Sequence, residues 1–302
     1  MTTPTHDRPD VHARVTARIL ADLERGVRPW MRPWEAGHAG GRIVRPLRAT
    51  GQPYRGINTL MLWMTAVERG YASPYWMSYR QAQVLGGQVR RGEHGTLVVF
   101  AGTLTRPEQT GEGEESEREI PFLKSYTAFN AAQIDGLPDR FRAPAPVAVE
   151  PMQRIGVAER FFAATGIAIR YGGVKAFYAL GGDYVQMPPF EAFCDAESFA
   201  AVLGHEMVHA TRHPKRLNRD LGRKRWGDAG YAAEELVAEI GSAFLCADLG
   251  ITPEVREDHA AYIATWLTVL RNDARVIVSA AAHAQRAVDF LHALQPEVRP
   301  PG

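Results

Sequence analysis

At 302 residues, with 45% hydrophobic and 23% charged, the chain has the make-up of a folded protein and exceeds what one hydrophobic core usually organises, so two domains are expected. Cys194 and Cys246 lack CxxC spacing, which argues against a disulfide scaffold or an all-cysteine metal site; with no signal peptide and no long apolar span in view, a cytoplasmic protein without membrane contact is expected. A net charge of +1 hides an asymmetry: residues 1–107 hold 15 Arg, no Lys and 7 acidic residues, leaving that part at +8 and the remainder at −7.

Val11, Val15, Ile19, Leu20 and Leu23 recur at helical spacing, with Asp10 before them as an N-cap and Gly26 after them as a stop, which predicts an amphipathic helix. A stretch rich in Pro, Gly and Arg follows and predicts loop; helical character resumes at 58–70, and Thr96 to Leu104 reads as a buried strand. Residues 107–119 are acidic and nearly devoid of apolar side chains, which predicts an exposed loop at the tip of a hairpin whose return strand is Phe122 to Phe129. Prolines concentrated in 137–151 mark a linker, giving domains 1–143 and 144–302.

Single-stranded nucleic acid is held by cations that follow the phosphates and by aromatic faces on which bases stack. The first domain has that composition, so a single-stranded-DNA partner is expected, contacted by Arg28, Trp30, Arg32, Trp34, Arg45, Arg48, Tyr54, Arg55, Trp76, Tyr79, Arg80, Arg90 and Arg91. Trp63, mid-helix among apolar residues, reads as core.

In the second domain a helix is expected at Met152 to Thr165, and a strand pair within Ala176 to Pro188 turning at Gly181-Gly182. Asp195 caps a helix running through His209, Ala232 to Leu249 forms another that ends at Gly250, and a long amphipathic tract occupies Val255 to Leu294. The first of these helices carries His205-Glu206-Met207-Val208-His209. Its histidines lie one turn apart on one face, about 6 Å between Cβ atoms, so both imidazoles reach one cation. Glu206 sits beside them, where it can take a proton from water rather than ligate. One Zn2+ ion is expected, with Mn2+ as the other divalent candidate. The third ligand comes from Glu234, Glu235 or Glu239. Glu235 and Glu239 share a face, which favours Glu235 as ligand with Glu239 orienting a histidine and leaves Glu234 as a solvated carboxylate. Tyr184 to Met187 is expected to be an edge strand that holds a peptide, and Tyr178, His213 and Tyr231 are candidate oxyanion partners. The basic run from Arg212 to Arg225 reads equally as solvated loop and as a nucleic-acid or substrate contact.

The phrases GDYVQMPPF, LGHEMVHATRHPKRLNRD and EELVAEIGSAFLCADLG resemble the zincin-like domain of ArdC-type antirestriction proteins, TraC-type primases and polyvalent proteins, while PYRGINTLMLW, YWMSYRQAQVLGGQVRRGEHGTLVVF and LKSYTAFNAAQIDGL resemble the N-terminal single-stranded-DNA-binding domain of the same ArdC-type proteins. Glu235-Leu-Val-Ala-Glu239 is similar to the gluzincin E-x-x-A-D motif with glutamate for aspartate. The resemblance implies an α+β protein: an N-terminal mixed α/β domain that binds single-stranded DNA and a C-terminal, mostly helical zincin-like metallopeptidase domain. It further implies a plasmid-borne antirestriction factor that protects incoming DNA from host restriction. Glu206 points to proteolysis of an unidentified host protein. The alternative is a non-proteolytic single-strand-coating protein whose metal is structural.

Overall fold

The computed structural model describes residues 10–31, 44–109, 115–142, 151–222, 228–251 and 260–296. Helix α1 (Val11–Glu24) buries Val15, Ile19 and Leu23 and ends before Gly26, whose φ of 75° suits a residue without Cβ. Asp10 occupies the N-cap position but its side chain makes no capping hydrogen bond. Helix α2 (Ile57–Arg69) stops at the left-handed Gly70, and the short α3 (Tyr79–Val84) starts on a capping box from Ser78 and Gln81.

These helices flank a four-stranded sheet of order β1-β2-β5-β4, with β1 (Leu47–Arg48), β2 (Tyr75–Met77), β4 (Thr96–Gln109) and β5 (Glu115–Asn130). Strands β3 (Gln88–Val89) and β6 (Ile134–Asp135) form a small ribbon. The β4–β5 ladder runs unbroken from Thr96↔Ala128 to Gln109↔Glu115, so Pro107–Gln109 and Glu115–Glu119 are strand, not the loop their acidity predicts. Ladder hydrogen bonds join backbone groups, so an acidic composition does not exclude them. Residues 110–114, in the same acidic stretch, lie outside the described residues. The start of the proline-rich linker is anchored: Phe141 is buried, packs edge-on against Tyr75, and accepts a bond from Ser73 through its carbonyl. Residues 143–150 lie outside the described residues.

The second part is mostly helical: α4 (Pro151–Ala164), α5 (Ala196–Ala210), α6 (Ala229–Leu249), α7 (Ala260–Asn272) and α8 (Val276–Ala293). The tract expected at Val255 to Leu294 is thus two helices among its described residues. A three-stranded sheet of order β7-β9-β8 lies against α5, built from β7 (Ala168–Tyr171), β8 (Phe177–Ala179) and β9 (Tyr184–Met187). Strand β9 is the central one, parallel to β7 and antiparallel to β8, so the expectation of an edge strand at Tyr184 to Met187 is corrected: the free edges belong to β7 and β8.

Strands thus dominate the first part and helices the second, the two-domain α+β layout. The apolar core is nevertheless continuous. Val15, Ile19, Leu23, Trp30 and Ile57 belong to the same buried cluster as Leu203, Met207, Leu236, Trp266 and Val288. Thr16 Oγ1 donates to the Ala274 carbonyl across that junction. Among the described residues, no helix is long and apolar enough to cross a membrane.

Candidate metal centre and its surroundings

Asp195 caps α5 by accepting from Ser198 N at 2.6 Å, and Asp228 caps α6 by accepting from Tyr231 N at 2.7 Å. The two helices approach closely at Gly241: a Cβ there would lie 2.8 Å from Val208 Cγ2, so a larger residue would push them apart. That approach carries Glu235 to the histidines. Its Oε2 is 3.6 Å from His205 Nε2 and its Oε1 is 3.5 Å from His209 Nε2, while the two imidazole centroids are 4.8 Å apart. One ligand atom from each of His205, His209 and Glu235 lies within 4.8 Å of the others, a three-donor set that fits a divalent cation. Glu206 is buried and close enough to both imidazoles to favour their positive charge.

The remaining carboxylates complete a graded network. Glu234, expected to be solvated, is only 3% exposed; its Oε1 is 3.1 Å from His209 Nδ1, and Arg219 grips it with Nε at 2.9 Å and Nη2 at 2.7 Å. Glu234 therefore fixes the far nitrogen of His209, the orienting part expected of Glu239. Glu239 lies 3.8 Å from His205 Nδ1, beyond hydrogen-bond length, and its other oxygen accepts from Arg28 Nη1 at 3.2 Å and Trp30 Nε1 at 3.1 Å. Burial disfavours a charged His209, yet Glu235 and Glu234 outweigh it and push the imidazole up to about 10. Burial likewise opposes ionised Glu234 and Glu235, but Arg219 and His209 hold the first down at about 2, and both histidines hold the second well below the usual carboxylate range. The centre is a buried negative environment suited to a cation.

Of the candidate oxyanion partners, Tyr231 is turned inward. Its hydroxyl is 3.2 Å from that of Tyr262, and burial, then Tyr262, then Glu235 raise its pKa. Tyr178 donates to Asp183 at 2.9 Å and accepts from Arg216 at 3.0 Å; burial and Asp183 push it up to about 12. Arg216 also pairs with Asp183 and donates to the Ala210 carbonyl at the C-terminus of α5, tying the β8–β9 turn to the histidine-bearing helix. His213 lies 3.8 Å from Asp183. Within the basic run Arg219 and Arg216 are therefore structural, and residues 223–225 lie outside the described residues.

The thirteen residues expected on single-stranded DNA divide sharply. Trp30 is fully buried, edge-on to Trp266 at 5.3 Å, and Arg28 is 6% exposed with its bond to Glu239. Arg45 is buried too, gripping Asp248 with Nε at 2.7 Å and Nη2 at 2.8 Å and stacking over Phe244. Tyr54 and Trp76 sit in a core cluster. These five are corrected to interior residues: aromatic and arginine side chains satisfy a core as readily as a nucleic-acid surface. Arg48, Arg55, Tyr79, Arg80, Arg90 and Arg91 are exposed, although Arg55 pairs with Asp289 and Arg90 with Glu93 and Asp135. Arg32 and Trp34 lie outside the described residues. Trp63 is core, 4% exposed and edge-on to Phe244.

On the hairpin Phe100, Lys124 and Tyr126 are exposed and Phe122 is half-buried, an outward-facing set that composition does not reveal. Their signal is period-two alternation along β5, which puts Phe122, Lys124 and Tyr126 on one face.

A histidine pair on one helix and a glutamate on the next, beside a small sheet, define the class: a zincin-like metallopeptidase domain behind an N-terminal mixed α/β domain. Residues 156–283 match the model of a zincin-like metallopeptidase, and residues 9–129 match that of the N-terminal domain of anti-restriction factor ArdC. The chain belongs to the ArdC antirestriction family. It is similar over its length to two crystal structures of the antirestriction protein ArdC from plasmid R388. The metal-free one is 45% identical with a TM-score of 0.79, the Mn(II)-bound one 44% identical with a TM-score of 0.78, and each match covers 95% of this chain and 98% of that one. An uncharacterized protein of Sinorhizobium fredii, y4eC, is 44% identical, with 98% of this chain and 95% of that protein covered. DNA primase TraC of Escherichia coli is 39% identical over 300 residues, of which the chain spans 27% of the primase's length.

Proposed function

We propose that this chain is an antirestriction factor that binds single-stranded DNA through its N-terminal domain and carries a metal-dependent peptidase site, protecting incoming plasmid DNA from host restriction. The observation that carries the peptidase part is the convergence of His205, His209 and Glu235 with Glu206 buried alongside. His205, His209 and Glu235 would hold the ion, with Zn2+ as the expected metal and Mn2+ as the other. When bound, it supplies Lewis acidity that activates water and polarises a peptide carbonyl. Glu206 accepts the proton of the attacking water and passes it to the leaving amine. Glu234, held by Arg219, keeps the His209 ring oriented, and Glu239 faces His205 under the grip of Arg28 and Trp30. A purely structural ion has no use for a proton acceptor beside it, which favours hydrolysis over the coating-only alternative.

Support for nucleic-acid binding is the +8 charge of residues 1–107 and the exposed Arg48, Arg80 and Arg91. The test uses Glu206→Gln in the full chain. The reading expects it to keep its metal and its DNA affinity, and to lose cleavage of host proteins and protection of unmodified plasmid DNA in a restricting host. Full protection by that variant would move the function to DNA coating alone.

A further inference from the structure

The β4–β5 hairpin carries a row of rings and cations that no core requires. Antiparallel partners point to the same side of a sheet, so Val98 and Tyr126, Phe100 and Lys124, and Gly102 and Phe122 share one face. At the base of that face Val98 is buried under Tyr54 and Trp76. Further out the side chains emerge: Tyr126 is 40% exposed and Phe100 57%. Phe122 lies over Gly102, where a Cβ would come within 2.6 Å of the ring, so the glycine is what lets it lie flat on the hairpin. Its centroid is 6.0 Å from that of Phe100.

Cations are interleaved with these rings. Lys124 Nζ stands 5.0 Å from the Phe122 centroid, and the Arg48 guanidinium stands 5.4 Å from that of Tyr54. Among the described residues no carboxylate is paired with Arg48 or Lys124. Exposed rings in a row mark an interaction surface. The alternation of ring and cation selects the occupant, because a single strand offers base faces and phosphates in the same alternation, whereas an apolar protein surface leaves the cations unanswered.

We propose that this hairpin face, with Tyr126, Phe100 and Phe122 as stacking rings and Lys124 and Arg48 as phosphate contacts, is the base-stacking platform for single-stranded nucleic acid. It rests on the nucleic-acid part of the proposed function and replaces Trp30 and Trp76, which are buried. Same-face positions on a strand repeat every ~7 Å, so Phe122 and Tyr126 stand ~14 Å apart along β5 with Lys124 between them, a cation between two rings as a phosphate lies between bases.

The experiment is fluorescence anisotropy of a labelled oligothymidylate with the full chain over a range of salt. Phe100→Ala and Tyr126→Ala each weaken binding about fivefold or more, with the salt slope unchanged, because a stacked ring releases no counterions. Tyr126→Phe and Phe100→Trp, which keep a ring, bind as the parent does. Lys124→Ala lowers the slope by about 0.7, one phosphate's share on a single strand. Both rings are exposed, and an unchanged melting curve for each variant confirms that only the surface has altered. If the parent binds and the two Ala variants bind within twofold of it, the platform is wrong while the nucleic-acid reading stands. If the parent shows no salt-dependent binding, both fall together.

Discussion

Replacing Trp30 by Phe removes one N–H from the surroundings of the metal centre, more than 200 positions away in sequence from the carboxylate that accepts it. That bond, 3.1 Å to Glu239 Oε2, and the 3.2 Å bond from Arg28 hold one oxygen of Glu239 while the other faces His205. A hydrogen bond to a charged group contributes about 1.5–3 kcal/mol, and partners that touch a metal ligand directly change metal affinity about tenfold to a hundredfold. Trp30 acts through Glu239, itself 3.8 Å from His205 Nδ1, so the effect falls below that range: about threefold weaker Mn(II) binding, ~0.6 kcal/mol. The smaller ring also loosens the edge-on contact with Trp266, a packing effect that would lower stability without passing through the carboxylate. Titration calorimetry with Mn(II) on four proteins separates the two: the parent, Trp30→Phe, Glu239→Ala and the double variant. The loss should appear in the parent background and vanish when Glu239 is already Ala. The same loss in both backgrounds, or none in either, would refute the tie between Trp30 and the centre.

Glu234→Ala strands the buried Arg219 guanidinium and should lower stability by about 3–5 kcal/mol in denaturant unfolding, with Glu234→Ala/Arg219→Met recovering a large part. Arg45→Met should lose about 3 kcal/mol by the same measurement while single-strand affinity is unchanged, since Arg45 faces Asp248 inside the protein. Asp183, held below the usual carboxylate range first by Arg216 and then by Tyr178, contributes stability that is complete above the ordinary carboxylate value of 3.8 and is lost as pH falls through its lower folded value. Asp183→Asn should therefore lower stability by about 1–2 kcal/mol at neutral pH, and the difference from the parent should shrink as thermal unfolding is followed down below about pH 4.

Local signals were the legible ones. The Asp195 cap, the Gly26 and Gly250 stops and the one-turn spacing of His205 and His209 are decided within a few residues, and the helices begin and end where those residues put them. Glu235 was also within reach, because i,i+4 spacing with Glu239 limits which carboxylates share a face. Glu234 escaped because adjacent residues on a helix diverge by about 100°, and that turn points it at the far nitrogen of His209, which only the crossing of α5 and α6 makes near. Burial of Arg28, Trp30 and Arg45 depends on Glu239, Asp248 and Gln285, all some 200 positions away, so composition alone put them on the surface. The short, largely exposed Ala168–Tyr171 has no alternation to mark it as a strand, and without it β9 takes the look of an edge.

The proposed chemistry rests on one ion that two imidazoles and a carboxylate would hold, and the most direct measurement is the metal content of the purified full chain beside His205→Ala and Glu235→Ala. The account predicts one divalent ion per parent chain, with neither variant retaining it through dialysis. A parent with no stoichiometric metal after loading, or variants that hold it as firmly, would contradict it.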